Sequence, residues 1–112
     1  GEKRGREIGF PTANIKLEPN ILLSGVYAVS TIISGNKYNA VANIGYKPTF
    51  SGEQYLFEAN IFNFSGDLYT ERLEFSIISK IRETKKFRGI SELKEYINKD
   101  VLEAKRILKE ND

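Results

Sequence analysis

Glu58 lies in the run Leu56-Phe57-Glu58-Ala59-Asn60-Ile61-Phe62. Strand alternation puts Phe57, Ala59 and Ile61 on one face and Leu56, Glu58, Asn60 and Phe62 on the other. Large apolar groups on both faces imply a strand covered on both sides. A carboxylate in such a strand is partly desolvated, which raises its pKa and suits a general base. A glutamate satisfied by a nearby Lys or Arg, or one that reaches solvent, fits the same pattern. Thr12 and Asn14 form a second constellation, two residues apart. With Ala13 extended they share a face. A hydroxyl and an amide oxygen side by side can complete the shell of a Mg²⁺ ion that takes its other ligands from phosphates and water. Polar strand residues after a turn would look the same. Upstream, Gly1, Gly5 and Gly9 alternate with Lys3, Arg4 and Arg6, and Pro11 closes the stretch. Flexible backbone N–H groups among basic side chains can cradle phosphate. No Gly-Lys-Ser/Thr follows, so the stretch is not a P-loop.

Composition narrows the chemistry. The chain has 112 residues with no Cys and no His. That excludes a disulfide framework, a thiolate nucleophile, a Cys-type zinc site and the commonest base near neutral pH. Carboxylates, hydroxyls, amides, Lys and Arg remain, and they favour a hard, oxygen-liking cation. A net charge of +2 is too small to argue for a nucleic-acid partner on bulk charge. No apolar run approaches the roughly 20 residues that span a bilayer. A reducing, cytoplasmic setting is the expectation.

The elements that position these residues are mostly β. Ala13 to Leu17 reads as a short strand and Pro19-Asn20 as a turn. Gly25 to Ile33 and Lys37 to Ile44 are β-branched, Tyr-containing runs joined through Ser34-Gly35-Asn36, a hairpin signal. Gly45 to Gly52 holds Pro48 and two glycines and reads as a loop. Leu56 to Phe64 is the next strand, Ser65-Gly66-Asp67 a turn, and Arg72 to Ile81 the last strand, with Leu73, Phe75, Ile77 and Ile81 on one face. Ser91 is a candidate cap for a final helix whose apolar positions are Leu93, Ile97, Val101, Ala104 and Leu108. Strands followed by one amphipathic helix suggest a small antiparallel barrel with the helix packed on it.

The block Gly5-Arg6-Glu7-Ile8-Gly9-Phe10-Pro11-Thr12-Ala13-Asn14 resembles the signature of riboflavin kinases, including the kinase module of bacterial bifunctional FAD synthetases. The resemblance continues through Gly25-Val26-Tyr27, Asn43 to Phe50, Glu58, Phe64 to Tyr69, Ile81-Arg82-Glu83 with Lys86-Phe87, and the helix holding Ile97 and Asp100. It implies a six-stranded, antiparallel Greek-key β-barrel with a C-terminal α-helix. The implied reaction phosphorylates the ribityl 5′-hydroxyl of riboflavin with ATP and Mg²⁺, giving FMN. Carried over by position, Glu58 would be the catalytic base, and Thr12 and Asn14 would hold the metal. Gly5, Arg6, Gly9, Pro11, Thr12 and Asn14 would surround the nucleotide phosphates, and Arg82 and Glu83 would lie near the flavin. Phosphoryl transfer depends mainly on positioning and charge neutralisation, so this set can suffice without His or Cys.

The chain departs from the pattern at Asn60, where many relatives carry His, at Asn63, often Asp, and at Thr70, usually Gly. Residues 1–112 are expected to form a riboflavin kinase domain. Four strong strands and a short one fall short of the six the resemblance implies. The expectation is therefore a first strand truncated at Gly1 and an upstream FMN adenylyltransferase domain. Riboflavin and ATP are the expected partners, without nucleic acid or membrane. A truncated or inactive flavin- or nucleotide-binding barrel without turnover is the alternative.

Overall fold

The computed structural model describes residues 12–16, 23–66 and 73–110. Among these residues five strands and one helix follow in chain order: β1 (Thr12–Lys16), β2 (Gly25–Ile33), β3 (Asn36–Thr49), β4 (Gly52–Ile61), β5 (Phe75–Arg82) and α1 (Ile90–Leu108). The strands make a single sheet in the order β1-β4-β3-β2-β5, with every pairing antiparallel. The mostly β architecture with a terminal helix agrees with expectation. The closed six-stranded barrel does not appear among the described residues. A barrel closes only when each strand has two neighbours, and here β1 and β5 are the two edges of the sheet.

Local sequence explains most boundaries. The β2–β3 hairpin turns at Ser34 and Gly35, whose φ values of 51° and 84° give the doubly left-handed turn that matches strand twist. The segment read as a loop from Gly45 to Gly52 is instead the far half of a second hairpin. The β3–β4 ladder continues in register through Lys47↔Gln54, Pro48↔Glu53 and Thr49↔Gly52. Pro48 is tolerated because it sits at the ladder's far end, where Phe50 at the tip is fully exposed. Tyr46 and Tyr55 stack across this end at 4.9 Å.

β5 also departs from simple alternation. Register shifts opposite Val26/Tyr27 and Ala28/Val29 interrupt it, and such bulges turn later residues onto the other face. Phe75 therefore packs with Tyr27, Val29 and Phe57, while Ile81 packs with Val26, Ala28 and Val41 beneath α1. The predicted shared face from Leu73 to Ile81 is split accordingly.

The helix covers the second of these clusters with Val101 and Ala104, two of the apolar positions expected from their spacing. Gly89, not Ser91, is its N-cap and supplies no side-chain hydrogen bond. The Leu93 N–H donates to the Gly89 carbonyl at 3.1 Å, and the Glu92 carboxylate accepts from the Arg88 N–H at 3.1 Å. Glu92 thereby supplies a partner at the helix start that the expected serine cap does not. No helix among the described residues is long and apolar enough to cross a membrane.

Candidate functional site

Between the helix-side face of the sheet and α1 lies a cavity of about 430 Å³. β3 and β4 supply its polar floor, with Asn43, Lys47, Glu58 and Asn60. Asn43 and Glu58 are direct partners in the β3–β4 ladder, as are Val41 and Asn60, so the pleat aims these residues at one side. The connection before α1 and the helix itself supply Phe87, Leu93 and Ile97, an apolar wall facing Val26 and Val41. The result is a slot with an apolar wall and polar groups gathered on its floor, the usual composition of a small-molecule site.

Glu58 is half-buried, as its covered strand implied. Its carboxylate Oε1 lies 2.9 Å from Lys47 Nζ, with 20% of the Glu58 side chain and 42% of the Lys47 side chain accessible. The ion-pair partner contemplated for this glutamate therefore exists, and both members line the cavity. β1 enters from the other side of β4, where its backbone register sets Thr12 opposite Asn60 and Asn14 opposite Glu58. The two residues read as a metal pair thus stand beside the candidate base. A hydroxyl and an amide suit a hard divalent cation. Among the described residues no group of three or more His, Cys, Asp or Glu that could hold a metal ion is present. Gly5, Arg6, Gly9 and Pro11 lie outside the described residues, as does Thr70.

Arg82 and Glu83 separate. Arg82 lines the cavity and grips Asp100 of α1 in a bidentate pair, Nε to Oδ1 at 2.8 Å and Nη2 to Oδ2 at 2.7 Å. Its Nη1 donates to the Glu83 carbonyl at 3.0 Å, and its guanidinium lies 5.7 and 5.3 Å from the ring centres of Phe87 and Tyr96. This is a clasp from the end of β5 to the helix that forms the cavity wall. Glu83 faces outward, 77% exposed, and pairs with Lys80 at 2.7 Å.

Sequence reasoning missed Lys47 and the Arg82–Asp100 pairing. Lys47 would have emerged had residues 45–52 been read as strand, because Asn43, Gly45 and Lys47 then alternate onto the face that carries Glu58. No local pattern announces the clasp, whose partners are 18 residues apart.

A carboxylate, amides and a lysine on the sheet beneath a helix-walled slot make a candidate site for a small molecule. The family described as riboflavin kinase (Flavokinase) matches residues 1–108, and the chain belongs to that family. It is 47% identical over 111 residues to the bifunctional riboflavin kinase/FMN adenylyltransferase of Bacillus subtilis, covering 95% of this chain and 35% of the relative. It is 45% identical over 107 residues to the Haemophilus influenzae protein of the same name, covering 94% of this chain and 35% of that relative. The chain thus spans about a third of the length of these curated relatives. A solved structure described as a macrolide-efflux protein from Streptococcus pneumoniae is similar with a TM-score of 0.79 and 37% identity, over 94% of this chain and 35% of that one.

Proposed function

We propose that this domain transfers the γ-phosphoryl group of ATP to the ribityl 5′-hydroxyl of riboflavin. The hydroxyl oxygen forms a bond to phosphorus, the bond to the bridging oxygen of ADP breaks, and the hydroxyl proton passes to the Glu58 carboxylate. The observation that carries this reading is Glu58 on the cavity floor, half-buried, in register with Asn14 on one side and Asn43 on the other. Its burial restricts the carboxylate without removing it from the cavity, as a base acting on a bound hydroxyl requires.

The apolar wall of Phe87, Leu93 and Ile97 suits a flat, largely apolar ring system. Arg82 borders it, held in place by Asp100. Thr12 and Asn14 would hold Mg²⁺, which when bound neutralises phosphate charge. Gly5, Arg6, Gly9 and Pro11 are proposed to surround the nucleotide phosphates, where backbone N–H groups and an arginine suit anionic oxygens. The curated relatives are named as bifunctional enzymes whose second activity acts on FMN, so a linked adenylyltransferase that consumes the kinase product belongs to the same proposal. A cytoplasmic location belongs to the same proposal. Greek-key closure also belongs here, since a sixth strand between the two sheet edges would complete the barrel.

The test is FMN formation from riboflavin, ATP and Mg²⁺ by the parent and by Glu58→Gln. Removing a general base costs about 10²- to 10⁴-fold in rate, and the glutamine keeps the side-chain shape. Near-full kcat in the variant would sink the assignment. The Lys47–Glu58 ion pair is the observation that favours a second reading, a binding barrel without turnover. Calorimetric binding of riboflavin and ADP with no FMN produced would establish that reading instead.

A further inference from the structure

We infer that Lys47 is a positioning residue that holds the Glu58 carboxylate toward the reacting hydroxyl; this rests on the proposed role of Glu58 as the base. Lys47 is not opposite Glu58 in the ladder. Its direct partner is Gln54, and that of Glu58 is Asn43. The 2.9 Å contact therefore requires the lysine to lean along the strand across the intervening position. That position is Gly45 on β3, which presents no side chain, and a Cβ built there meets only the Thr84 methyl, at 3.7 Å. The path between the ammonium and the carboxylate lies along the cavity floor, because both residues line it.

The pair is poorly suited to a stabilising role. Lys47 is 42% exposed, and ion pairs so open to water contribute little to stability. It is well suited to orientation. A glutamate side chain has several rotatable bonds, and a base must be within hydrogen-bond reach of the proton it removes. Fixing one carboxylate oxygen on an ammonium leaves the other to address the hydroxyl, and small errors in such placement are costly in rate. A lysine makes this contact with one N–H and has two others. An arginine at the same position can replace it, since the contact is single rather than forked.

The experiment measures kcat, KM for riboflavin and ATP, and thermal melting for the 112-residue chain carrying Lys47→Gln, Lys47→Met, Lys47→Arg, Glu58→Gln, or Lys47→Gln with Glu58→Gln. The expected result is a loss of about tenfold in kcat for Lys47→Gln and Lys47→Met, from the misplacement argument. KM and the melt stay near the parent's, and Lys47→Arg recovers most of the rate. In the Glu58→Gln background, Lys47→Gln adds no further loss, because its effect is carried by the carboxylate. Parent-like kcat in Lys47→Gln, beside a crippled Glu58→Gln, overturns the lysine's role and leaves the base standing. Parent-like kcat in Glu58→Gln overturns the base and the lysine's role together. A raised KM for ATP at constant kcat makes Lys47 a nucleotide ligand instead. Loss of melt and kcat together in both neutral variants makes it a packing residue. An additive double variant shows that it acts independently of Glu58. Each of these last three results also overturns the inference.

Discussion

Two carboxylates at the cavity do different work because their partners differ. Asp100 is 7% exposed and spends both oxygens on Arg82, whereas Glu58 meets an exposed lysine through one contact. Asp100→Asn should therefore act first on stability. It leaves a guanidinium, only 22% exposed, without its counter-charge, and breaking such a buried pair costs about 3–5 kcal/mol, nearer the lower figure here because water reaches Arg82. Denaturant unfolding of the variant checks this, and an unchanged midpoint would show that the clasp is dispensable. Thr12→Ala and Asn14→Ala should act on ligand use instead, since each removes one oxygen donor for a hard cation. ADP affinity measured with and without Mg²⁺ should lose its metal dependence in these variants. Parent-like binding at every Mg²⁺ level would remove the two residues from the metal site. Glu58 was conspicuous in sequence because a charged residue interrupts an apolar strand. Lys47 was hidden because its neighbours Gly45 and Pro48 signalled a loop.

At the scale of the elements, β2 is the hinge of the design, since it pairs with β3 on one side and with β5 on the other. Its first residue, Gly25, has φ near 123°, and a Cβ there would lie 2.6 Å from the Arg82 carbonyl oxygen. Neither the backbone conformation nor the space admits a side chain. Gly25→Ala should cost about 2 kcal/mol or more through strain and displacement of β5, and would shift the carbonyl of the residue that clasps α1. A melting curve superimposable on the parent's would contradict this. The helix itself was legible in sequence from its repeating apolar positions. Its start was not, because Ser91 matches the cap preference while the chain actually begins helical hydrogen bonding from Gly89 and uses Glu92 for the Arg88 amide.

For the whole molecule, the cavity lies between sheet and helix, so a ligand that fills it bridges the two. Riboflavin with ADP and Mg²⁺ should raise the melting temperature. At a free concentration 100 times Kd the linkage gain is about 2.7 kcal/mol per site, provided the unfolded chain does not bind. No shift at saturating concentrations would mean that the cavity is not the flavin site. By itself the sequence determined the β-rich class, the terminal helix, the β2–β3 hairpin, the segregation of Phe57, Ala59 and Ile61 to one buried face, and the riboflavin kinase resemblance. Those follow from periodicity, turn chemistry and a dense local motif, all of which act over a few residues. Tertiary structure decided the rest. The β3–β4 register carried strand through Lys47 and Pro48, two bulges divided the faces of β5, and packing of α1 on the sheet joined Arg82 to Asp100. Each depends on which segment lies alongside, and hydrogen bonds, ion pairs and apolar contacts between distant residues override local preference once both partners are in place.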